Sequence, residues 1–175
     1  MVLPEIVAVR TDAGMLSLWA SPAFTSVTDY DSWETHVTDR LDEAIRAGEL
    51  VPINIGSDGA WGVRLGSAAE GLSERERSYA LATSEPYKLI VEGGAVCLSG
   101  IEGVGLFDHA AARIELADGT YSVQTTLVAW ADEPGARGSD GLPVQTALDD
   151  FVVLIGPSTG SEHFRTREMT FDLPE

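Results

Sequence analysis

Residues 11–18 read TDAGMLSL, and the same grammar returns as GSDGAWGV at 56–63, VEGGAVCL at 91–98 and LADGTYSV at 116–123. Each segment has a glycine, at Gly14, Gly59, Gly94 or Gly119, followed by alternating apolar positions. These are Leu16 and Leu18, Trp61 and Val63, Val96 and Leu98, Tyr121 and Val123. Period-two alternation is the mark of a strand with one buried face. Glycine supplies the positive φ of a tight turn, and the Asp or Gly before it suits the same geometry. The four segments therefore predict four β-hairpins. Their spacings of 45, 35 and 25 residues exclude a fixed-period solenoid or propeller.

Working outward, strands are expected at 5–11, 15–19, 50–55, 60–65, 87–91, 95–99, 110–116 and 120–131. The run FVVLI within 150–155 suits a strand buried on both faces. Residues 164–171 alternate, with Arg165, Arg167, Met169 and Phe171 on one face. Residues 77–83 also lean towards a strand, although Ser73 and Glu76 stand at capping-box spacing.

One amphipathic helix is expected over about 31–47. Trp33, Val37, Leu41, Ala44 and Ile45 recur at steps of three and four and make an apolar stripe that must pack on the sheet. Asp31 reads as its N-cap with Glu34 three residues on, and Gly48 as its C-terminal stop. The resulting expectation is an α+β fold, mainly β: an antiparallel sheet of repeated hairpins with that helix packed on it. The 175 residues are expected to make a single domain spanning 1–175.

Charge is the outstanding compositional feature. Twenty-eight acids face eleven bases, for a net charge of −17 and a pI near 4.3. Such a field repels polyanions, so neither nucleic acid nor an anionic membrane surface is an expected partner. A basic protein would be drawn towards it. Seven of the acids fall within 29–49 against only Arg40 and Arg46. Asp29, Asp31, Asp39, Asp42 and Glu43 are accordingly the candidate partner-binding residues.

The chain holds one cysteine, Cys97, so an internal disulfide is excluded and a reducing, cytoplasmic setting fits. MVLPEIV has no cationic segment leading into an apolar one, unlike a signal peptide. No cofactor and no metal are expected: His36, His109 and His163 follow no ligand spacing, and no calcium-loop pattern occurs. Cys97 reads as a small buried hydrophobe near Glu92 and Glu102. Residues 132–141, DEPGARGSDG, form a polar loop. The four tryptophans fall on apolar faces or strand ends.

Residues 156–160 spell G-x-S-x-G after an apolar strand, as in a hydrolase nucleophile elbow. Only fifteen residues follow, too few for the helix and triad partners that elbow requires. The glycine-rich 93–105 lacks the Lys of a phosphate-binding loop. In size and charge alone the chain resembles the small acidic immunity and inhibitor proteins of bacteria. The leading expectation is thus a non-enzymatic, inhibitor-like domain that engages a basic protein. The alternatives are a small hydrolase with carboxylate or Ser158-centred chemistry, and a structural subunit of an oligomer.

Overall fold

Ten strands form in the computed structural model, which describes residues 6–106 and 109–173. They are β1 (Ile6–Thr11), β2 (Met15–Ala20), β3 (Leu50–Asn54), β4 (Gly59–Ser67), β5 (Ala80–Thr83), β6 (Tyr87–Val91), β7 (Ala95–Gly100), β8 (Ala112–Glu115), β9 (Gly119–Val128) and β10 (Phe151–Pro157). The fold is α+β and mainly β, as the alternation implies.

The strands divide between two sheets. The first runs β1-β4-β10-β9-β5, with β6 also paired to β9, and the second runs β3-β2-β7-β8. None of the four glycine turns closes a hairpin. β1 pairs with β4 rather than β2, β3 with β2 rather than β4, β6 with β9 rather than β7, and β8 with β7 rather than β9. Each turn instead carries the chain from one sheet to the other. The local sequence demands a sharp turn between two half-buried strands, and a corner between stacked sheets meets that demand as well as a hairpin does.

The corners associate in pairs. Gly14 O accepts from both Ile55 N and Gly56 N at 2.9 Å, joining the first corner to the second. Gly14 has φ +68°, and a Cβ there would lie 3.1 Å from Ser57 N. Only glycine fits both the turn and the approach.

The sheet pairings are not all antiparallel, as hairpins would have made them. β10 runs parallel to β4, with Phe151 opposite Val63 and Ile155 opposite Ser67, and antiparallel to β9. A long connection separates β4 from β10, so no tight turn forces the two strands into opposite directions. Seated between two neighbours, β10 is buried at Phe151, Val152, Val153 and Ile155, in keeping with FVVLI. Register places Val9, Trp61, Val63, Phe151, Val153, Leu127 and Val123 on one face of the first sheet. In the second, Leu16, Leu18, Val51, Ile53, Val96 and Leu98 share a face. Both sheets contribute to one buried cluster, which also takes in Phe24, Val37, Ala44 and Ile45.

The predicted helix is broken in three. α1 (Tyr30–Trp33) leads into a π-turn at Glu34–Thr38, closed by Asp39 N donating to Glu34 O at 3.0 Å, and α2 (Leu41–Ala47) follows. Thr35, His36, Val37 and Thr38 are weak helix formers, so packing decides their path. The stripe keeps its role: Val37, Ala44 and Ile45 are buried, and Trp33 Nε1 donates to Ile101 O at 2.9 Å. The N-cap is Asp29, not Asp31, with Ser32 completing a reciprocal box. Gly48 ends α2 at φ +83°.

Residues 77–83 resolve into both of their signals. α3 (Glu74–Ser78) starts at the Ser73–Glu76 capping box, and β5 follows it. Residues 164–171 do not form a continuous strand. They strap the two sheets together through single bridges, Arg165 beside Tyr87 in the first and Thr170 beside Asn54 in the second. Phe171 is buried at the end of the strap. No helix among the described residues is long and apolar enough to cross a membrane.

Candidate functional site

The acidic segment wraps one side of the core between β2 and β3. Its apolar stripe faces in, so the intervening carboxylates are left in water. All five candidate residues are exposed, but they do different work. Asp29 accepts from Ser32 N at 2.9 Å and Ser32 Oγ at 2.6 Å, and those bonds hold its carboxyl below the usual range. It is a cap. Glu43 accepts from Arg40 Nε at 2.9 Å, and Asp42 lies 3.5 Å from Arg167 Nε on the strap. Asp31 and Asp39 make no ion pair with any described residue. The structure thus brings the five onto one segment, and two of them have no ion pair with a described residue.

Where α2 ends, Glu49 joins Glu92 at the edge of a cleft of about 220 Å³. Ala20, Pro22, Ala47 and Gly48 supply small, mostly apolar walls. An alkyl chain ending in a positive charge matches that combination.

Ser158 has the wrong surroundings for a nucleophile. Its Oγ donates to Glu162 Oε2 at 2.9 Å, and no histidine among the described residues hydrogen-bonds to it. Thr159 N and Gly160 N donate to the same carboxylate at 2.8 and 3.0 Å. These bonds, led by that from Thr159, hold the Glu162 carboxyl down at about 2, too weak a base to take a hydroxyl proton near neutrality. The G-x-S-x-G stretch is a carboxylate-capped turn.

The histidines do not converge. His36 sits half-buried in the π-turn, while His109 and His163 are exposed. Asp108, beside His109, lies outside the described residues. No cluster of three or more His, Cys, Asp or Glu suited to a metal occurs among the described residues. Cys97 is buried beside Ser21, whose Oγ lies 3.7 Å from its Sγ.

Two groupings escaped the sequence reading. Arg64 and Glu76 form an ion pair beneath α3, with Glu76 only 5% exposed, and the half-buried Asp149 lies beside Gly62 on the same strand as Arg64. Burial, then the neighbouring Asp150 charge, raises the Asp149 carboxyl. At the end of β9, Trp61, Trp130, Arg137 and Asp150 surround a second cleft. The only sequence trace of it is the DD pair at 149–150 beside an apolar strand, one of many carboxylate pairs in this chain.

No protein family's sequence profile matches the chain, and no curated protein matches it. Two solved structures share its fold. The crocagin biosynthetic gene J product is 18% identical, covering 87% of this chain and 96% of its own, with a TM-score of 0.58. ComJ from Bacillus subtilis, an inhibitor of the DNA degrading activity of NucA, is 9% identical, covering 88% and 96%, with a TM-score of 0.53. At such identities the likeness is one of architecture.

Proposed function

We propose that this chain is a non-enzymatic, inhibitor-like protein that engages a basic protein partner through the acidic surface of residues 29–49. The observation that carries the reading is the exposure of Asp31 and Asp39, without ion pairs to described residues, on the most acidic surface of a chain with a net charge of −17. Carboxylates so placed steer a cationic surface into contact and pair with its Arg and Lys side chains. The cleft beside Glu49 and Glu92 adds a socket for one such side chain. ComJ, which shares the architecture, inhibits the activity of another protein, and this favours binding over turnover. The capped turn at Ser158 argues in the same direction.

The test compares the wild-type chain with the Asp31→Lys/Asp39→Lys variant as bait in extract of the native source. Captured proteins are identified by mass at low and at high salt. A basic protein held by the wild type at low salt, released at high salt and ignored by the folded variant is the expected result, because screening weakens contacts between exposed charges. Equal capture by both baits would remove the acidic face from the mechanism. Both substitutions lie on the surface, where single charges contribute little to stability, so folding is retained.

A further inference from the structure

The second cleft, at the end of β9, lies away from the five candidate acids, and its walls are already ordered. Trp130 Nε1 donates to Asp150 Oδ1 at 2.8 Å, and Gly62 N donates to Asp150 Oδ2 at 2.8 Å. The indole of Trp130 is thereby fixed to the backbone of β4. Trp61 stands edge-on to Phe151, with ring centroids 6.1 Å apart. Leu127 and Leu173 complete apolar walls around about 210 Å³. A space of that size takes a six-membered ring with a short chain, since roughly 150 Å³ already holds benzene.

Unused hydrogen-bonding capacity decides what kind of molecule fits. Trp61 Nε1 is buried with no acceptor among the described residues. The Arg137 guanidinium rests 5.9 Å from the Trp130 ring centroid and forms no ion pair with a described residue. A short arm holds it there: Arg137 bridges to Pro143, Gly138 N donates to Leu142 O and Val144 N to Ala136 O, both at 2.8 Å. Each oxygen of Asp150 already accepts one hydrogen bond, so its charge is met by two donors, whereas no acceptor among the described residues meets the Arg137 guanidinium.

We propose that the cleft between Trp61 and Trp130 binds a small molecule with an apolar ring and one carboxylate, the ring lying between the indoles and the carboxylate meeting Arg137. This site is independent of the acidic face and of the partner it engages.

The probe is 3-phenylpropionate, titrated into the ¹⁵N-labelled chain while the indole N–H resonances of its four tryptophans are followed. Trp61→Phe and Trp130→Phe assign the signals. Saturable shifts confined to Trp61 and Trp130 are expected, with affinity about tenfold weaker for the neutral amide of the probe and for the exposed variant Arg137→Gln, the loss of one charge-assisted contact. No saturable shift at about 10 mM, a site of Kd well beyond millimolar, would overturn the proposal. So would unchanged affinity in Arg137→Gln. Tighter binding of 3-phenylpropylamine would assign the cleft to Asp150 as a cation site and overturn it equally. Arg137 lies on the surface arm, so this variant folds and keeps the test decisive even if a tryptophan substitution does not.

Discussion

Gly94 N donates to the carboxylate of Asp118 at 2.8 Å, and Leu116 N returns a bond to Gly94 O at 3.0 Å. The corner between β6 and β7 is thereby tied to the corner between β8 and β9. Gly14 performs the equivalent service for the first two corners through its carbonyl. Two pairs of stacked corners thus hold the sheets against one another. Asp118→Ala removes the side-chain acceptor of the second pair's link and should cost about 1 kcal/mol, measured as a lower urea midpoint with unchanged slope.

Gly14 and Gly71 separate the two costs of replacing a left-handed glycine. Both have φ near +70°, yet a Cβ at Gly71 meets open space whereas one at Gly14 meets the Gly56–Ser57 backbone. Gly71→Ala should lose about 1–2 kcal/mol, the intrinsic penalty of that conformation. Gly14→Ala should lose more, since the neighbouring corner must also move. Equal losses in denaturation would show that the corners are not packed.

Glu76 should make the fold sensitive to acid. Burial raises its carboxyl, but Arg64 and the Ser73 cap outweigh burial and leave it below 4.5. A depressed folded value means that the contribution is present above about pH 4.5 and is lost as pH falls through the folded value. Glu76→Gln, which leaves the mostly buried Arg64 guanidinium without its counter-charge, should cost about 2–3 kcal/mol at pH 7. The difference from wild type should shrink below pH 4.

Asp149 has the opposite sign. Its raised carboxyl is favoured protonated in the folded chain, so at neutral pH the charge destabilises. Asp149→Asn should therefore raise stability at pH 7, and the gain should vanish as pH falls below the unfolded value of 3.8. Thermal unfolding across that range reads both signs in one experiment.

Ser158 should be inert towards a fluorophosphonate, because its hydroxyl donates into a carboxylate and no histidine hydrogen-bonds to it. Intact mass after prolonged exposure would show no adduct. A single adduct abolished in Ser158→Ala would restore the hydrolase reading.

Much of the fold was legible because the signals were local. The capping boxes at Asp29–Ser32 and Ser73–Glu76, the stop at Gly48 and the alternation after each glycine involve residues a few positions apart. Of these, the 73–76 spacing is plain, while at Asp29 the box is masked by Asp31 and Glu34, which stand at the same three-residue spacing. The acidic face was legible too, since an apolar stripe fixes where its interleaved carboxylates must point. That Asp42 would be met by Arg167, 125 positions along the chain, was not.

The sequence by itself determined where the ten strands run, that the segment before Gly48 is helical, the four sharp corners, the buried character of β10 and the sign of the surface field. These depend on backbone sterics, on the period of apolar residues and on composition. Tertiary structure alone decided that the corners join different sheets, that β10 enters parallel to β4, that the helix breaks at residues 34–38 and that Trp61, Trp130, Arg137 and Asp150 meet around one cleft. Alternation says which face of a strand is apolar but leaves its neighbour open. The neighbour is chosen by how all ten strands bury their faces together, a condition that no short stretch of sequence contains.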